Sequence, residues 1–326
     1  MTMSSFNRHT LSRLLILILA GHGSLIFAQN NDGPGGLAGA PMRMGFGARG
    51  IGMANVLAAV RTENVTGYYN PALVPFQAQP SALLSAGFLP LDRRLNFASY
   101  TQGLKPSGGF SIGIINAGVS DIEGRSSDGI PTETYSTSEN EFLLSFGVKP
   151  TDRMAVGVSA KILYYSLFQS VKSTTVGFDL GLIYAPTEEW TVGMVLSDIN
   201  SKYKWDTSQL YGTAGTTTVD RFPLRRELAV SYAPRFLHGV LAGELEWLGS
   251  TWRTRLGAEI YLHERFAVRG GIDQISFSRD ISAKPSLGLS VRPPITALNP
   301  TLDYAYVFEP YSPGGIHLIS LSLDFE

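Results

Sequence analysis

The amino-acid sequence predicts an all-β protein, a 14-stranded antiparallel transmembrane β-barrel. Three observations support this prediction. Apolar and polar residues alternate in repeated runs from about Ser81 to the C-terminus, an export signal opens the chain, and charged residues make up only 16% of it. Together they predict a chain that leaves the cytoplasm and crosses a membrane as strands.

The alternation has the period of a β-strand. In one run, Val176, Phe178 and Leu180 alternate with Gly177 and Asp179. Because successive side chains of a strand point to opposite faces, each such run has one apolar face and one polar or small face. In a transmembrane barrel the apolar faces contact lipid and the polar faces line the lumen.

Fourteen such runs give an even number of strands, as single-chain bacterial barrels have. The longest predicted connections, 120–139 and 200–224, both follow odd-numbered strands. Outer-membrane barrels place short turns in the periplasm and long loops outside, so both chain termini are predicted to be periplasmic. The predicted strands are 81–90, 94–102, 108–119, 139–149, 153–169, 173–186, 189–199, 225–234, 238–248, 252–262, 265–273, 283–293, 299–308 and 315–325.

The N-terminus has the pattern of a signal peptide. Arg8 and Arg13 are followed by a short apolar stretch, 14–20, and by a small-residue cleavage site near Ala28. The apolar stretch is far shorter than the roughly 20 residues that a membrane-spanning helix needs. The predicted domains are therefore a signal peptide (1–28), an N-terminal segment with a linker (29–80) and the barrel (81–326).

A soluble β-sandwich is the alternative fold, and the composition counts against it. Ordinary soluble domains contain roughly 25% charged residues, more than the 16% found here. The chain also contains 35 glycines, many at inward-facing strand positions, where the core of a sandwich normally needs bulk.

No pattern of catalytic or metal-binding residues stands out. The chain has no cysteine, its five histidines lack metal-ligand spacing, and no Gly-x-Ser-x-Gly motif occurs. There is also no basic patch of the kind that binds nucleic acid. We therefore expect no enzymatic activity, no metal, no cofactor and no nucleic-acid partner.

The N-terminal segment contains a glycine pattern that matches the dinucleotide-binding fingerprint. It runs from Gly45 to Gly50, but no predicted strand precedes it and Glu63 follows too early to bind a ribose. We interpret these glycines as sites of tight chain bends. A short helix is predicted over 51–60, and Pro71 predicts an extended Asn70.

Two stretches of the N-terminal segment resemble the N-terminal signature of FadL-related outer-membrane barrels, closest to the PorV/PorQ-like branch. They are Gly-Ala-Arg-Gly-Ile-Gly-Met at 47–53 and Tyr-Asn-Pro-Ala-Leu at 69–73. Later stretches at 256–261, 268–271, 302–306 and 319–323 are similar to the same branch. The resemblance implies a 14-stranded barrel whose N-terminal segment is a hatch that plugs the lumen. It also implies one of two roles: transport of hydrophobic small molecules, or service as an accessory barrel in type IX protein secretion.

Alternation places an unusual set of charges inside the barrel. Because adjacent strands lie about 4.8 Å apart, their acids and arginines can pair across the sheet. We hypothesise that hatch arginines bind this acidic wall; alternatively, the charges only solvate one another. The predicted lumen charge network comprises Arg43, Arg49, Arg61, Glu227, Glu244, Glu246, Arg253, Arg255, Glu259, Arg269 and Asp273.

Hatch residues are also the candidates for contacting an apolar ligand. The alternative is that the apolar ones only pack the hatch against the barrel. The candidates are Phe46, Ile51, Met53, Val56, Leu57, Tyr68, Tyr69, Asn70 and Pro71.

The sequence therefore predicts an outer-membrane protein of a Gram-negative-type bacterium. Its expected partners are outer-membrane lipid and a hydrophobic or amphipathic small molecule that passes a plugged lumen. The alternative is a protein-interaction role with secretion-system subunits, for which the loops 120–138 and 200–224 would offer the binding face.

Overall fold

The computed structural model describes residues 36–325, apart from residues 63, 169, 250, 276–281, 296–297, 311 and 313. The predicted signal peptide (1–28) and the first part of the linker lie outside the described residues. Within the described part of the chain, no helix is long and apolar enough to cross a membrane.

Sixteen strands occur in the described residues, and fourteen of them close into one antiparallel barrel. Numbered along the chain, they are β1 (Ser81–Leu89), β2 (Arg93–Leu104), β3 (Gly108–Arg125), β4 (Pro131–Thr151), β5 (Met154–Phe168), β6 (Val171–Tyr184), β7 (Trp190–Ile199), β8 (Lys202–Asp206), β9 (Thr217–Arg221), β10 (Arg225–Tyr232), β11 (Gly239–Leu248), β12 (Thr251–His263), β13 (Phe266–Ile275), β14 (Lys284–Val291), β15 (Thr301–Val307) and β16 (Ile316–Asp324). β7 pairs with β10 and β16 with β1, while β8 and β9 form a separate two-stranded sheet. The 14-stranded antiparallel barrel predicted from alternation is confirmed.

The barrel wall is apolar outside and mixed inside. On β4, Phe142, Leu144 and Phe146 point outward with 45, 56 and 49% of their surface exposed, whereas the alternate residues Glu141, Leu143 and Ser145 are buried. An apolar outer surface on a closed barrel is the arrangement that lipid requires, because closure leaves no unpaired backbone edge.

The two ends of the barrel differ. At one end, which we call the turn end, β1 begins, β16 ends and short connections join β2 to β3 and β4 to β5. At the other end, the loop end, the stretches 120–138 and 200–224 are more ordered than the sequence predicted. β3 and β4 continue through most of 120–138 as a hairpin, and β8 and β9 occupy much of 200–224.

Residues 36–80, which we call the N-terminal segment, contain no strand among those described. The segment starts at the loop end, where Gly39 lies against the ring of Phe222, and reaches β1 at the turn end. It contains a helical turn at Pro41–Arg43, a short α-helix at Gly47–Gly52 and a 3₁₀-helix at Pro71–Phe76.

The helix predicted over 51–60 is wrong in position. The observed helix ends at Gly52, because Ala54 and Asn55 adopt left-handed φ angles of 55° and 65°. Such angles interrupt a right-handed helix. The extended conformation predicted for Asn70 is observed, with φ −163° and ψ 116°.

Candidate functional site

The N-terminal segment lies against a row of inward-facing glycines. These glycines are register partners on five consecutive strands, β2 to β6: Gly103, Gly109, Gly147, Gly157 and Gly181. The segment's backbone comes so close that a Cβ built on Gly109 would lie 2.6 Å from the carbonyl oxygen of Val74, and one on Gly147 would lie 2.6 Å from that of Pro71. Only glycine permits this approach.

Asn70 fixes the start of the chain stretch that contacts the glycine row. Its side chain is fully buried, accepts a hydrogen bond from the backbone nitrogen of Ala72 at 2.9 Å, and caps the Pro71–Phe76 helix. Its amide nitrogen donates to the carbonyl oxygens of Ala58 at 2.8 Å and Leu182 at 3.3 Å. One side chain therefore joins two stretches of the segment to strand β6.

A second contact region lies across the lumen, on β12 to β14. The turn after the Gly47–Gly52 helix packs so closely on Gly271 that a Cβ there would lie 2.8 Å from the carbonyl carbon of Met53. The hydroxyl of Ser286 accepts a hydrogen bond from the Ala54 nitrogen and donates one to the Gly52 oxygen, each at 3.2 Å. The segment is thus attached to opposite walls of the barrel.

Tyr69 joins the motif at 69–73 to the glycine-rich stretch at 45–50. Its hydroxyl accepts a hydrogen bond from the backbone nitrogen of Phe46 at 2.9 Å. The same hydroxyl lies 3.1 Å from the Phe46 carbonyl oxygen and 3.0 Å from Asn55 Oδ1, either of which can accept its proton. Burial raises the pKa of Tyr69 well above its usual range, so the phenol stays neutral and retains the proton that it donates.

Most of the inward charges of β10 to β13 form a network around Arg255, and Glu259 and Arg269 form a second group. Its Nη1 lies 2.6 Å from Glu244 Oε1, its Nη2 2.5 Å from Glu246 Oε2, and its Nε 2.8 Å from Asp273 Oδ1. Arg253 adds a second cation, at 2.6 Å from Glu246. Buried charges are tolerable when paired and hydrogen-bonded in this way.

Arg49 connects the N-terminal segment to this charged wall. Its guanidinium is bidentate on Glu259, with Nη2 2.6 Å from Oε2 and Nε 3.1 Å from Oε1. Glu259 also accepts a hydrogen bond from Arg269 at 2.5 Å, and Arg269 reaches Asp303 at 2.6 Å. The sequence-based hypothesis is that arginines of the segment bind the acidic wall, and Arg49 occupies such a position.

The other two arginines of the segment hydrogen-bond to neutral groups, although Arg43 also lines a small pocket together with Glu244 and Arg255 of the network. Arg43 donates to the carbonyl oxygen of Ala38 at 2.7 Å and lies over the ring of Phe222, with its guanidinium carbon 5.7 Å from the ring centre. Arg61 donates to Thr191 Oγ1 at 2.8 Å and lies over the ring of Phe76. Arg43 makes these contacts with neutral groups at the loop end, and Arg61 makes its contacts with neutral groups near the turn end.

A second buried cluster surrounds Lys161, outside the charge network predicted from the sequence. The Lys161 ammonium lies 2.9 Å from Asp179, 3.1 Å from Asp198 and 3.8 Å from Glu141. Glu141 follows the alternation of β4, and Arg225 faces inward on β10. The sequence pattern could therefore have placed both side chains in the lumen. It could not have placed Asp198, because this residue has a φ of 65° at a register shift where the β7 alternation breaks.

Apolar residues cover a different sector of the lumen. Phe97 and Ile115 on β2 and β3, and Leu318 on β16, pack with Met42 and Phe46 of the N-terminal segment in one buried cluster. Most barrel residues of this cluster lie on β16, β1, β2 and β3, with further members on β4, β11 and β15. The lumen therefore has an apolar side and a charged side, with the N-terminal segment between them.

A cavity of about 50 Å³ lies between the segment and the wall formed by β15, β16, β1 and β2. Small hydroxyl residues of the wall, including Ser99, Thr101 and Ser322, face it. Of the predicted ligand-contacting residues, Phe46, Leu57 and Tyr69 line this cavity. The others are buried elsewhere in the segment: Ile51, Met53, Val56, Tyr68, Asn70 and Pro71.

The β8–β9 hairpin covers part of the loop end. Tyr203 is buried and donates a hydrogen bond of 2.5 Å to Glu139, and its ring packs edge-on against Tyr165 and Phe222 at 5.2 and 5.0 Å. Trp205 packs against the same cluster. These aromatic side chains of the predicted loop 200–224 therefore pack on the barrel mouth; Tyr211 stays 65% exposed.

The closed barrel with an apolar outer surface and a filled lumen defines the class of this protein: a 14-stranded transmembrane β-barrel. The sequence matches no protein-family model and no curated protein. Among solved structures the chain is similar to the CymD monoaromatic hydrocarbon channel, with a TM-score of 0.64 and 13% sequence identity over 87% of this chain and 98% of that one.

Two further solved structures have the same fold. They are the Pseudomonas putida toluene transporter TodX, with a TM-score of 0.59 and 12% identity over 86% of this chain and 96% of that one, and the TodX deltaS2S3 mutant monoaromatic hydrocarbon channel, with a TM-score of 0.61 and 12% identity over 86% and 99%. At such identities the similarity is one of fold.

Proposed function

We propose that the protein admits a hydrophobic small molecule across the outer membrane through the lumen of its barrel. The observation that carries this proposal is the divided lumen, whose apolar side continues into a cavity beside the N-terminal segment. The cavity is lined by apolar Phe46, Leu57 and Leu83 and also by hydroxyl and charged side chains, among them Thr101, Arg269 and Asp303, so it offers a ligand both apolar contacts and polar groups. The hydrocarbon channels that share the fold support the proposal by analogy.

The N-terminal segment acts as the hatch of this channel. It contacts both the glycine row and the β12–β14 wall, and Arg49 bonds it to Glu259. The space left beside it is about 50 Å³, whereas an engineered apolar cavity that binds benzene measures about 150 Å³. The structure therefore represents a closed state. A molecule the size of an aromatic ring passes only when part of the hatch or of the barrel wall moves aside.

The turn end faces the periplasm in this proposal. Outer-membrane barrels have short periplasmic turns and longer outer loops, and the longest hairpin here, β3–β4, projects at the loop end. In this orientation β16 ends on the periplasmic side, as predicted for the C-terminus, whereas the described part of the N-terminal segment begins at the loop end, on the outer side.

The experiment that tests the proposal is uptake of radiolabelled toluene by Gram-negative cells that lack hydrocarbon channels of their own. Cells expressing the protein are expected to take it up faster than cells with an empty vector. Ser99→Trp, which fills the cavity from the wall of β2, is expected to reduce the rate. Ala98→Trp is the matched control, because the neighbouring residue on the same strand faces outward. Equal rates with and without the protein would contradict the proposal.

The alternative role, as an accessory barrel of type IX secretion, receives less support from the contacts. Two aromatic residues of the predicted binding loop 200–224, Tyr203 and Trp205, pack on the barrel mouth, whereas a third, Tyr211, is exposed. Native mass spectrometry of the protein from its own membrane separates the two roles. A stoichiometric protein subunit with an empty lumen would favour the accessory role, and a retained apolar small molecule would favour transport.

A further inference from the structure

The hatch is attached to the wall at several places. Releasing it as a whole is therefore not the simplest way to open a passage. The hatch contacts the glycine row through residues 70–77 and the β12–β14 wall through residues 52–54. The ion pair of Arg49 with Glu259 on β12 adds to the second of these regions. Leaving a buried charge without its partner is strongly destabilising, and release of the whole hatch would break this pair and both contact regions together.

Phe46 lies between the packed apolar cluster of the lumen and the cavity beside the N-terminal segment. Its ring belongs to the buried apolar cluster on the loop-end side, where it lies 4.9 Å from the ring of Phe97 and 5.4 Å from that of Tyr68. The same residue lines the cavity on the turn-end side. The ring therefore separates the apolar sector from the cavity.

The backbone and side chain of Phe46 are held in different ways. The Tyr69 hydroxyl bonds the Phe46 backbone nitrogen, and Gly45 and Gly47 on either side have φ angles of 117° and 74°, which other residues rarely adopt. The side chain, in contrast, is hydrocarbon and is held by ring packing and contacts such as that with Gly113. A rotation about its side-chain bonds breaks no hydrogen bond.

We infer that Phe46 is the gate of the channel: its ring swings aside to admit an apolar ring-sized ligand from the apolar sector into the cavity, while the hatch stays in place. This inference rests on the proposed transport function. In this inference one side chain, that of Phe46, determines which sizes of ligand pass. The wall opposite, with Leu83 and Ser99, completes the opening through which the ligand passes.

The test compares initial uptake of radiolabelled toluene and of the larger naphthalene in the same cells. Phe46→Ala is expected to raise uptake of toluene by about tenfold, because two aromatic contacts no longer hold the gate closed. Naphthalene uptake is expected to rise more. Phe46→Trp is expected to lower both rates. Phe76→Ala is the matched control: it removes the same ring from the hatch at a position that does not line the cavity.

A disulfide lock tests whether the hatch moves as a body. The chain has no cysteine of its own, and a Cβ on Gly52 would lie 3.5 Å from the Cβ of Ala305 on β15, at the short end of the range for disulfides. The Gly52→Cys, Ala305→Cys protein is expected to transport at the wild-type rate whether oxidised or reduced. Loss of uptake on oxidation, restored by a reductant, would overturn the inference in favour of hatch displacement.

The remaining outcomes are also decisive. If wild-type cells take up toluene but the rates of Phe46→Ala and Phe46→Trp match that of Phe76→Ala, the gate is wrong and the transport function stands. If wild-type cells take up neither probe faster than empty-vector cells, the transport function fails and the gate fails with it. Heat-modifiable electrophoretic mobility verifies that each variant barrel has folded before uptake is compared.

Discussion

Arg49 of the hatch and Glu259 of the barrel wall form a bidentate ion pair, with their closest atoms 2.6 Å apart. The two residues are 210 positions apart in the chain, and the Glu259 side chain is fully buried. Glu259 also binds Arg269, so the pair joins the hatch to the charged wall of β12 and β13. The ion pair therefore joins the N-terminal segment to the charged side of the lumen, and Arg49 and Arg269 also line the cavity beside that segment.

Replacing Glu259 with Gln is expected to loosen the hatch. The neutral amide removes the carboxylate that Arg49 and Arg269 share, while Arg269 keeps Asp303, and breaking a buried pair costs about 3–5 kcal/mol. Single-channel recording in planar bilayers measures the effect as more frequent transient openings. Glu244→Gln is the control, since Glu244 bonds to Arg255 within the wall. Equal opening frequencies in the two variants would show that the ion pair does not hold the hatch.

Substitution of Gly147 by Ala is expected to displace the 70–77 stretch of the hatch. The new methyl group would lie 2.6 Å from the Pro71 carbonyl oxygen, and overpacking of this kind costs about 1–3 kcal/mol. In a Leu73→Cys background the introduced thiol, buried in the wild-type fold, is expected to react faster with a maleimide.

Gly270→Ala is the matched control for this substitution. Gly270 faces outward on β13, and its added methyl group would meet nothing closer than 3.8 Å. The Leu73→Cys thiol should therefore react at its original rate. Labelling that is no faster in Gly147→Ala than in Gly270→Ala would mean that the glycine row does not position the hatch.

The barrel could be predicted from the sequence because its signal is local. A strand on a barrel wall meets lipid on one side and the lumen on the other, so the environment alternates at every residue, as Phe178, Asp179 and Leu180 do. Each predicted strand overlaps an observed one for this reason. Glu227, Glu244 and Glu246 could be placed inside the lumen by the same argument.

The hatch could not be predicted in the same way, because its conformation depends on contacts distant in sequence. The pairing of Arg49 with Glu259, and of Arg43 with Phe222, follows from how the segment crosses the lumen, which no local pattern encodes. The helix at Gly47–Gly52 was misplaced because the left-handed angles of Ala54 and Asn55 have no periodic signature.

Substitution of Asn70 by Ala is expected to destabilise the protein by about 1–3 kcal/mol. The change removes the cap of the Pro71–Phe76 helix and leaves the Ala58 carbonyl oxygen without its donor in a buried position. Urea unfolding of the barrel in lipid vesicles should show a lower midpoint. Asn96→Ala on β2 replaces an outward-facing asparagine and should leave the midpoint near that of the wild type. Coinciding midpoints for all three proteins would contradict this role of Asn70.

Stability at alkaline pH is expected to depend on Tyr68, which lies in the hatch, outside the membrane-spanning strands. Burial raises the pKa of Tyr68 to about 12 from its ordinary value of 10. Between these two values the folded protein holds a proton that the unfolded chain has released. The contribution of Tyr68 is therefore complete below pH 10 and is lost as the pH rises towards 12.

Tyr68→Phe provides the comparison. Its unfolding free energy should fall less between pH 10 and pH 12 than that of the wild-type protein. It also loses the bond from the Tyr68 hydroxyl to the Met42 carbonyl oxygen, 3.0 Å long, so the two curves are offset at neutral pH and converge as the wild-type phenol ionises. The difference in absorbance at 295 nm between the wild-type protein and the variant reports ionisation of Tyr68. Its midpoint should lie near pH 12. A difference spectrum centred at pH 10, with parallel stability curves, would mean that water reaches Tyr68 and that the hatch is not closed around it.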